Sequence, residues 1–228
     1  KGNNFYTQSE GLPELLDVIA QKENSKGLSI GPENILVTNG VSEGLDMVIS
    51  SIVEEGDEVL LPGPYYPPYA SYVRLHGGKP IEFAVDLKNS RPVIDDIKTK
   101  ISSKTVAICL ISPNNPTGLA LSLEQMQLLI DFSRSHNLAI WADEVYERIT
   151  FDTDHVSAVS LAPERPVGIY SFSKQYGMAG NRCGYLIFPS SEIMEEVRKA
   201  STIAFYSTPT LSQIAAVKAI QHGEDWLE

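Results

Sequence analysis

The sequence contains 228 residues, of which 43% are hydrophobic and 21% are charged, enough apolar material for a large core. Its 18 basic and 29 acidic side chains give a net charge of −11, which argues against a general nucleic-acid binder because such proteins present a basic face. The longest apolar run, Val106–Ile111, is far shorter than the roughly 20 residues that span a bilayer. Cys109 and Cys183 give no disulfide framework, so we expect a cytoplasmic protein.

Helical and strand patterns alternate along the chain. The first predicted elements are a helix over Leu12–Glu23, a strand over Ile35–Thr38, a helix through Leu45–Ile52 and a strand over Glu58–Leu61. Further strands are predicted near 80–85, 105–111, 138–142, 167–171 and 183–188, and further helices near 67–76, 93–101, 122–136, 190–204 and 208–221. Ser122 and Gln125 form a capping-box pattern at one helix start. This alternation predicts one α/β domain with a mostly parallel central sheet and helices on both faces.

Polar segments follow four of the predicted strands directly. These segments are 39–42, 113–118, 143–144 and 171–174. Ligands of open α/β sheets bind outside the carboxyl ends of the strands, so the four segments predict a binding site at that edge.

Three of these segments carry a specific chemical interpretation. The turn through Gly40 joins a strand to a helix and would offer free N–H groups to an anion, although an ordinary turn capped by Ser42 has the same pattern. Asp143 ends an apolar strand, where a carboxylate is costly to desolvate unless a cationic or protonated partner meets it; a structural ion pair or a cap is the alternative. Lys174 follows apolar residues, and partial desolvation would favour the neutral amine that forms a Schiff base; a surface lysine without a role is the alternative.

Two further groups are more ambiguous. The loop around Asn115 is rich in turn residues, yet its amide could donate to a ligand oxygen. An aromatic cluster made of Tyr65, Tyr66, Tyr69 and Tyr72 is typical of packing, but one of these rings could stack on a flat cofactor.

Other common sites are not supported by the sequence. It contains neither a Walker A pattern nor the G-x-G-x-x-G fingerprint, which excludes a nicotinamide-binding dehydrogenase domain. The four histidines lack metal-ligand spacing, and no G-x-S-x-G motif anchors a catalytic triad. No metal is therefore expected.

In this order and spacing, the motifs resemble those of the class I aminotransferases, pyridoxal-phosphate enzymes of fold type I. The resemblance runs from Tyr6 to the end of the chain and includes 115–118, 143–146 and 171–174, together with Arg182. The segment 59–67 is most similar to the alanine- and aspartate-type prokaryotic members.

The resemblance implies roles for these residues around pyridoxal 5'-phosphate. Lys174 would hold the cofactor as a Schiff base and move the substrate proton, and Asp143 would keep the pyridine nitrogen protonated. Tyr146 and Asn115 would hydrogen-bond the phenolic oxygen, and Tyr66 would stack on the ring. The residues implied around the phosphate are Gly40, Val41, Ser42, Ser171, Ser173 and Arg182.

The resemblance also bears on the assembly. Tyr6 would reach the phosphate of a neighbouring subunit, which implies a homodimer with shared active sites. Residues 1–228 would form the cofactor-binding large domain, without the N-terminal arm and the C-terminal small domain. That small domain would bring the arginine that binds the substrate α-carboxylate.

The implied function is transfer of an amino group between an aspartate- or alanine-like L-amino acid and a 2-oxo acid by a ping-pong mechanism, as part of amino-acid metabolism and biosynthesis. A pyridoxal-phosphate-dependent C–S or other β-lyase on the same scaffold is the first alternative. A non-catalytic cofactor-binding regulator is the second, although Lys174, Asp143, Tyr146 and Arg182 are all retained.

Overall fold

The computed structural model describes residues 5–89 and 91–223, apart from the side chains of residues 200, 201 and 204. The helices are α1 Pro13–Asn24, α2 Val41–Ser50, α3 Pro68–Leu75, α4 Ile94–Lys100, α5 Leu123–Ser135, α6 Ala158–Leu161, α7 Phe172–Gln175, α8 Ser191–Ala204 and α9 Thr210–His222. The strands are β1 Ile35–Thr38, β2 Glu58–Gly63, β3 Lys79–Asp86, β4 Arg91–Pro92, β5 Thr105–Ile111, β6 Ala139–Asp143, β7 Pro166–Ser171 and β8 Gly184–Ile187.

Each helix and strand expected from the sequence is present close to its expected bounds. At the start of α5, the Ser122 hydroxyl accepts the Gln125 N–H and the Gln125 side chain accepts the Ser122 N–H, which confirms the capping box. The sequence analysis missed β4, α6 and α7. These elements have two to four residues, too few to show a hydrophobic period.

The chain divides into two compact units, a continuous unit, Val48–Gly168, and a discontinuous unit made of the described residues up to Met47 and from Ile169 onward. In the continuous unit the strand order is β6-β5-β2-β3-β4. The pairs β2–β3, β2–β5 and β5–β6 are parallel, and the short β4 pairs antiparallel with β3. This mixed but largely parallel arrangement confirms the expected α/β class.

Helices cover the sheet of the continuous unit. Helix α3 contacts β2 and β3, α4 contacts β3, and α5 contacts β6 and α6. The interior between them is apolar, with Leu60, Ile108 and Trp141 fully buried. Burial of such side chains is the main favourable contribution to folding, because each removes a large apolar area from water.

In the discontinuous unit, β1 and β8 pair antiparallel, with Thr38 opposite Gly184. Helix α1 packs on α9 and β1. The Gln213 side chain of α9 accepts the Leu12 N–H at 2.6 Å and donates to the Thr7 hydroxyl at 3.0 Å, so it ties the start of α1 to α9. No helix among the described residues is long and apolar enough to cross a membrane.

Candidate functional site

Asp143 lies at the carboxyl end of β6 and is only 6% exposed. Its Oδ2 accepts the Tyr69 hydroxyl at 2.7 Å, and its Oδ1 accepts the Val145 N–H at 3.1 Å. Burial raises the pKa of Asp143 to about 6, while these two hydrogen bonds act to lower it. The carboxylate is therefore held by two neutral donors in a dry environment.

The parallel pairing of β5 and β6 explains this placement. Ile111 at the end of β5 is opposite Asp143, and the Ser112 N–H donates to the Asp143 carbonyl at 3.1 Å. The loops that follow β5 and β6 therefore leave the sheet at the same edge, as the sequence predicted for the segments 113–118 and 143–144.

Tyr146 and Asn115 lie on those two loops and line one open cleft of about 640 Å³, together with Ile149 and Phe151. Burial raises the pKa of Tyr146, with smaller contributions from the charge of Asp143 and from Tyr66. Tyr66 is 38% exposed. Asp143, Tyr146 and Tyr66 are thus brought close enough to interact electrostatically.

The loop around Asn115 is held by its neighbour, Asn114. The Asn114 Oδ1 accepts both the N–H and the hydroxyl of Thr117, at 3.2 and 2.8 Å, and its Nδ2 donates to the Pro64 carbonyl at 3.3 Å. Both asparagines are half-buried and line the cleft, and Asn114 also shapes the turn through these hydrogen bonds.

The loop after β6 also contributes to a cluster of potential metal-ligating side chains that the sequence spacing did not indicate. Ligand-type atoms of Glu144, Glu147 and His155 fall within 4.8 Å of one another. Glu144 accepts the Ala158 N–H at 2.8 Å through Oε1 and lies 3.3 Å from His155 Nε2 through Oε2. These contacts join the loop after β6 to the start of α6, and we assign the cluster a structural role.

The turn through Gly40 is part of the discontinuous unit. Gly40 has a φ of +74°, and its N–H donates to the Thr38 carbonyl at 2.8 Å. A Cβ at Gly40 would stand 2.5 Å from Nη2 of Arg182, so only glycine allows this close approach. Arg182 in turn donates to the Asn39 carbonyl at 3.4 Å and to the Ala179 carbonyl at 3.0 Å.

This geometry places an arginine beside the start of α2, whose first turn also carries Glu43, the acceptor of the Asn39 N–H. Val41 and Ser42 are in the first turn of α2, where backbone N–H groups have no carbonyl partner within the helix. The guanidinium of Arg182 lies beside that turn. A helix N-terminus next to an arginine has the donor set and the charge that bind a phosphate group.

Lys174 lies on the short helix α7, which begins after Ser171. The Ser171 hydroxyl accepts the Ser173 N–H at 3.0 Å and so caps α7. The fully buried Gln175 donates to the Ser171 carbonyl at 3.2 Å and holds the same turn from inside. Lys174 is exposed, whereas Phe172 of the same short helix is buried. Of the two interpretations that the sequence left open for this lysine, the exposed position agrees with the structure.

Tyr6 is also in the discontinuous unit, and its ring is 76% exposed. It packs edge-to-face against Tyr206, with 4.6 Å between the ring centroids. The structure thus leaves most of the Tyr6 ring on the surface.

The predicted site residues fall into two groups. Tyr66, Asn115, Asp143 and Tyr146 belong to the continuous unit, and Tyr6, Gly40, Val41, Ser42, Ser171, Ser173, Lys174 and Arg182 belong to the discontinuous unit. Sequence reasoning missed Tyr69 as the partner of Asp143, since 74 positions separate the two residues. The only signal was the aromatic cluster in which Tyr69 occurs.

A comparison with protein families matches residues 1–228 to "Aminotransferase class I and II". The chain belongs to this family. Aspartate aminotransferase of Pyrococcus horikoshii is 31% identical over 99% of the chain, and glutamate-pyruvate aminotransferase AlaA of Haemophilus influenzae is 41% identical over 80% of it. The aminotransferase resemblance found in the sequence is thereby confirmed.

Solved structures of the family share the fold. Alanine aminotransferase from Pyrococcus furiosus matches 99% of the chain with a TM-score of 0.94 and 34% identity. Aspartate aminotransferase from Thermus thermophilus, a double mutant, matches 98% of it with a TM-score of 0.93 and 31% identity. The chain spans 58% of the Pyrococcus horikoshii relative and 46% of the Haemophilus influenzae relative.

Proposed function

We propose that the protein is a pyridoxal-phosphate-dependent aminotransferase and that residues 1–228 form its cofactor-binding large domain. The observation that carries the proposal is Asp143. A buried carboxylate held by two neutral donors is costly unless a cation joins it, and a protonated pyridine nitrogen is such a cation. The family membership of the whole chain supports the same cofactor.

The second feature that suits this cofactor is the turn through Gly40. A phosphate would be bound by the N–H groups of Val41 and Ser42 and by the guanidinium that lies against Gly40. Ser171 and Ser173 would add hydroxyl donors. Arg182 would supply a full positive charge, which strengthens hydrogen bonds to a phosphate about twofold relative to neutral donors.

The residues then have distinct tasks in the reaction. The bound cofactor supplies an electron sink for the charge that develops at the substrate Cα. Asp143 would keep the ring nitrogen protonated, and Tyr66 would stack on the ring. Lys174 would hold the cofactor through its amine, and its Nζ would take the proton from the substrate Cα and return it.

Tyr146 and Asn115 complete the set at the cleft that they line. Both would hydrogen-bond the phenolic oxygen of the cofactor. The pKa of Tyr146 is raised by burial, so its hydroxyl stays protonated and acts as a donor at neutral pH.

The substrates we propose are an aspartate- or alanine-like L-amino acid and a 2-oxo acid, since relatives are named for aspartate and for glutamate and pyruvate. The two would react in turn by a ping-pong mechanism, in cytoplasmic amino-acid metabolism and biosynthesis. We further propose a homodimer in which Tyr6 completes the site of the neighbouring subunit.

The cofactor assignment is tested by borohydride reduction after incubation with pyridoxal phosphate. We expect a yellow protein whose reduced form carries the cofactor on the peptide that contains Lys174. Lys174→Ala should abolish the label, and Lys199→Ala, which removes an exposed lysine paired with Glu196, should keep it. A wild-type protein without bound chromophore would contradict the proposal.

The reaction class is tested by a half-reaction. Incubation of the loaded enzyme with an amino acid alone should release one 2-oxo acid per site and leave the aminated cofactor on the protein. Continuous release of ammonia and pyruvate without an acceptor would instead identify the β-lyase alternative.

A further inference from the structure

The side chain of Tyr69, on α3, is fully buried, and its hydroxyl lies 2.7 Å from Oδ2 of Asp143. This hydroxyl is not among the groups that would touch the cofactor in the proposed function. Burial and the charge of Asp143 raise the pKa of Tyr69 well above its ordinary value, so the phenol remains a proton donor across the physiological range.

We propose that Tyr69 is a positioning residue, whose hydroxyl fixes the orientation of the Asp143 carboxylate and keeps it ionised for the ring nitrogen of the cofactor. The proposal rests on the proposed function. Tyr69 acts only through Asp143.

The geometry of the carboxylate supports this assignment. Oδ1 accepts from the Val145 backbone and Oδ2 from the Tyr69 side chain, so there is one donor on each oxygen. Two donors from opposite oxygens prevent the carboxylate from rotating. Each oxygen can accept a further hydrogen bond, which leaves one open for a cationic N–H.

The surroundings of Asp143 make the phenol important. In the part of the continuous unit that the structure describes, Tyr69 from α3 and Glu144 from the loop after β6 act on the pKa of Asp143. The charge of Asp143 in turn raises the pKa of Cys109 from β5 and of Tyr146 from the same loop. Glu144 acts to raise the pKa of Asp143, and burial raises it more strongly. Tyr69 and the Val145 backbone oppose these effects, and only the tyrosine can be removed by substitution.

Loss of the Tyr69 hydroxyl should raise the pKa of Asp143. Tyr69→Phe removes a donor to the ionised form, so the pKa of Asp143 must rise, by on the order of one unit for a strong buried hydrogen bond. A pKa that starts at about 6 then moves to near neutrality, and a large share of the carboxyl is protonated at pH 7. A protonated carboxyl cannot neutralise a ring cation.

The test is a titration of Asp143 in the purified protein without cofactor, followed by NMR of 13C-labelled aspartate. We expect the pKa to rise by about one unit in Tyr69→Phe and to stay unchanged in Tyr72→Phe, which removes the hydroxyl of another tyrosine of α3. In the loaded enzyme, the acidic limb of kcat should shift to higher pH by the same amount in Tyr69→Phe, with little change in KM. An unchanged pKa of Asp143 in Tyr69→Phe would overturn the proposal.

A second variant keeps the test decisive if Tyr69→Phe does not fold. Incorporation of 3-fluorotyrosine at position 69 retains the ring and the hydroxyl but makes the phenol a stronger donor, so the pKa of Asp143 should fall. A rise, or no change, would again overturn the proposal. The titration of Asp143 needs no cofactor, so an unchanged pKa would contradict the role of Tyr69 alone. Loss of the label on Lys174 would contradict the proposed function alone.

Discussion

At the scale of single residues, burial raises the pKa of the Asp143 carboxyl to about 6, whereas an ordinary aspartate titrates near 3.8. Between these two values the folded protein holds a proton that the unfolded chain has lost, so stability falls as the pH rises through this range. Above pH 6 the ionised carboxylate costs the cofactor-free fold about 3 kcal/mol, at about 1.4 kcal/mol for each unit of the shift. The carboxylate that would bind the ring nitrogen therefore lowers the stability of the cofactor-free protein.

Replacement of Asp143 by asparagine tests this cost. An asparagine keeps the shape and, like the protonated acid, has no charge to desolvate. We expect Asp143→Asn to raise the free energy of unfolding of the cofactor-free protein by up to about 3 kcal/mol at pH 8 and to leave it unchanged at pH 4. Urea denaturation at the two pH values measures the difference.

The control for this prediction is Asp95→Asn, since the Asp95 side chain is 93% exposed. Its substitution should change the free energy of unfolding by no more than about 0.5 kcal/mol at either pH. A destabilised Asp143→Asn protein at pH 8 would show that hydrogen bonding, rather than desolvation, dominates at this carboxyl.

The same residue shows what sequence reasoning can and cannot reach. That a carboxylate at the end of an apolar strand needs a partner follows from residue order alone. The identity of Tyr69 as a partner does not, because the contact depends on how α3 packs beside the sheet edge. The choice between a desolvated and an exposed Lys174 could not be made from the sequence for a related reason, because α7 is too short to be predicted and its direction decides where the lysine lies.

At the scale of elements, the turn between β1 and α2 needs glycine at position 40 for two reasons, its backbone conformation and the space for Arg182. Gly40 needs a positive φ, and its missing Cβ makes room for Arg182. Gly27 also has a positive φ, of +98°, but no atom lies within 4 Å of the position of its Cβ. A comparison of alanine substitutions at the two positions therefore distinguishes backbone strain, which both share, from contact with Arg182, which occurs at Gly40.

We expect Gly40→Ala and Gly27→Ala to lose a similar 1–2 kcal/mol of stability, because both force alanine into the left-handed region. Only Gly40→Ala should weaken binding of pyridoxal phosphate, by about tenfold, which corresponds to about 1.4 kcal/mol. Denaturant unfolding and isothermal titration calorimetry measure the two effects. Equal affinity in both variants would remove Arg182 and this turn from the phosphate site.

Long elements were predictable because their hydrophobic periods are long enough to recognise. The sequence located β5 at its observed bounds and α5 to within one residue at each end. The two-residue β4 could not be found in this way, since it exists only through its pairing with Val85 and Asp86 of β3. Tertiary contacts, not local preference, define such elements.

At the scale of the whole molecule, the exposed rings of the discontinuous unit bear on assembly. Tyr6 and Tyr206 contact each other and are 76% and 52% exposed, and Phe5, whose carbonyl accepts the Thr210 hydroxyl, is 66% exposed. Exposed apolar groups of this kind mark interaction surfaces when they lie together. This placement supports the proposed contact of Tyr6 with a neighbouring subunit.

A shared site predicts complementation between two defective variants. Tyr6→Phe should weaken cofactor retention and Lys174→Ala should abolish activity, yet mixed subunits should regain activity above the sum of the two. Each hybrid dimer would contain one site with an intact Lys174 and an intact Tyr6. Enzyme assays after joint refolding, with sedimentation to measure the mass, test the prediction.

The control mixture joins Lys174→Ala with Gly40→Ala. Both of these changes affect groups that one subunit contributes to its own site, so this mixture should gain nothing. A fully active monomer, or equal recovery in the two mixtures, would rule out a site shared through Tyr6.

The contact of Gln213 with Leu12 and Thr7 has a consequence for the order of folding during synthesis. The continuous unit, Val48–Gly168, leaves the ribosome complete before any residue of α9 has been made. The Leu12 N–H, by contrast, cannot form its hydrogen bond until Gln213, which lies 201 positions later in the chain, has been synthesised. Since domains fold as units while the chain emerges, a chain that ends at Gly168 and is released from the ribosome should contain a protease-resistant middle segment and an α1 that is still digested.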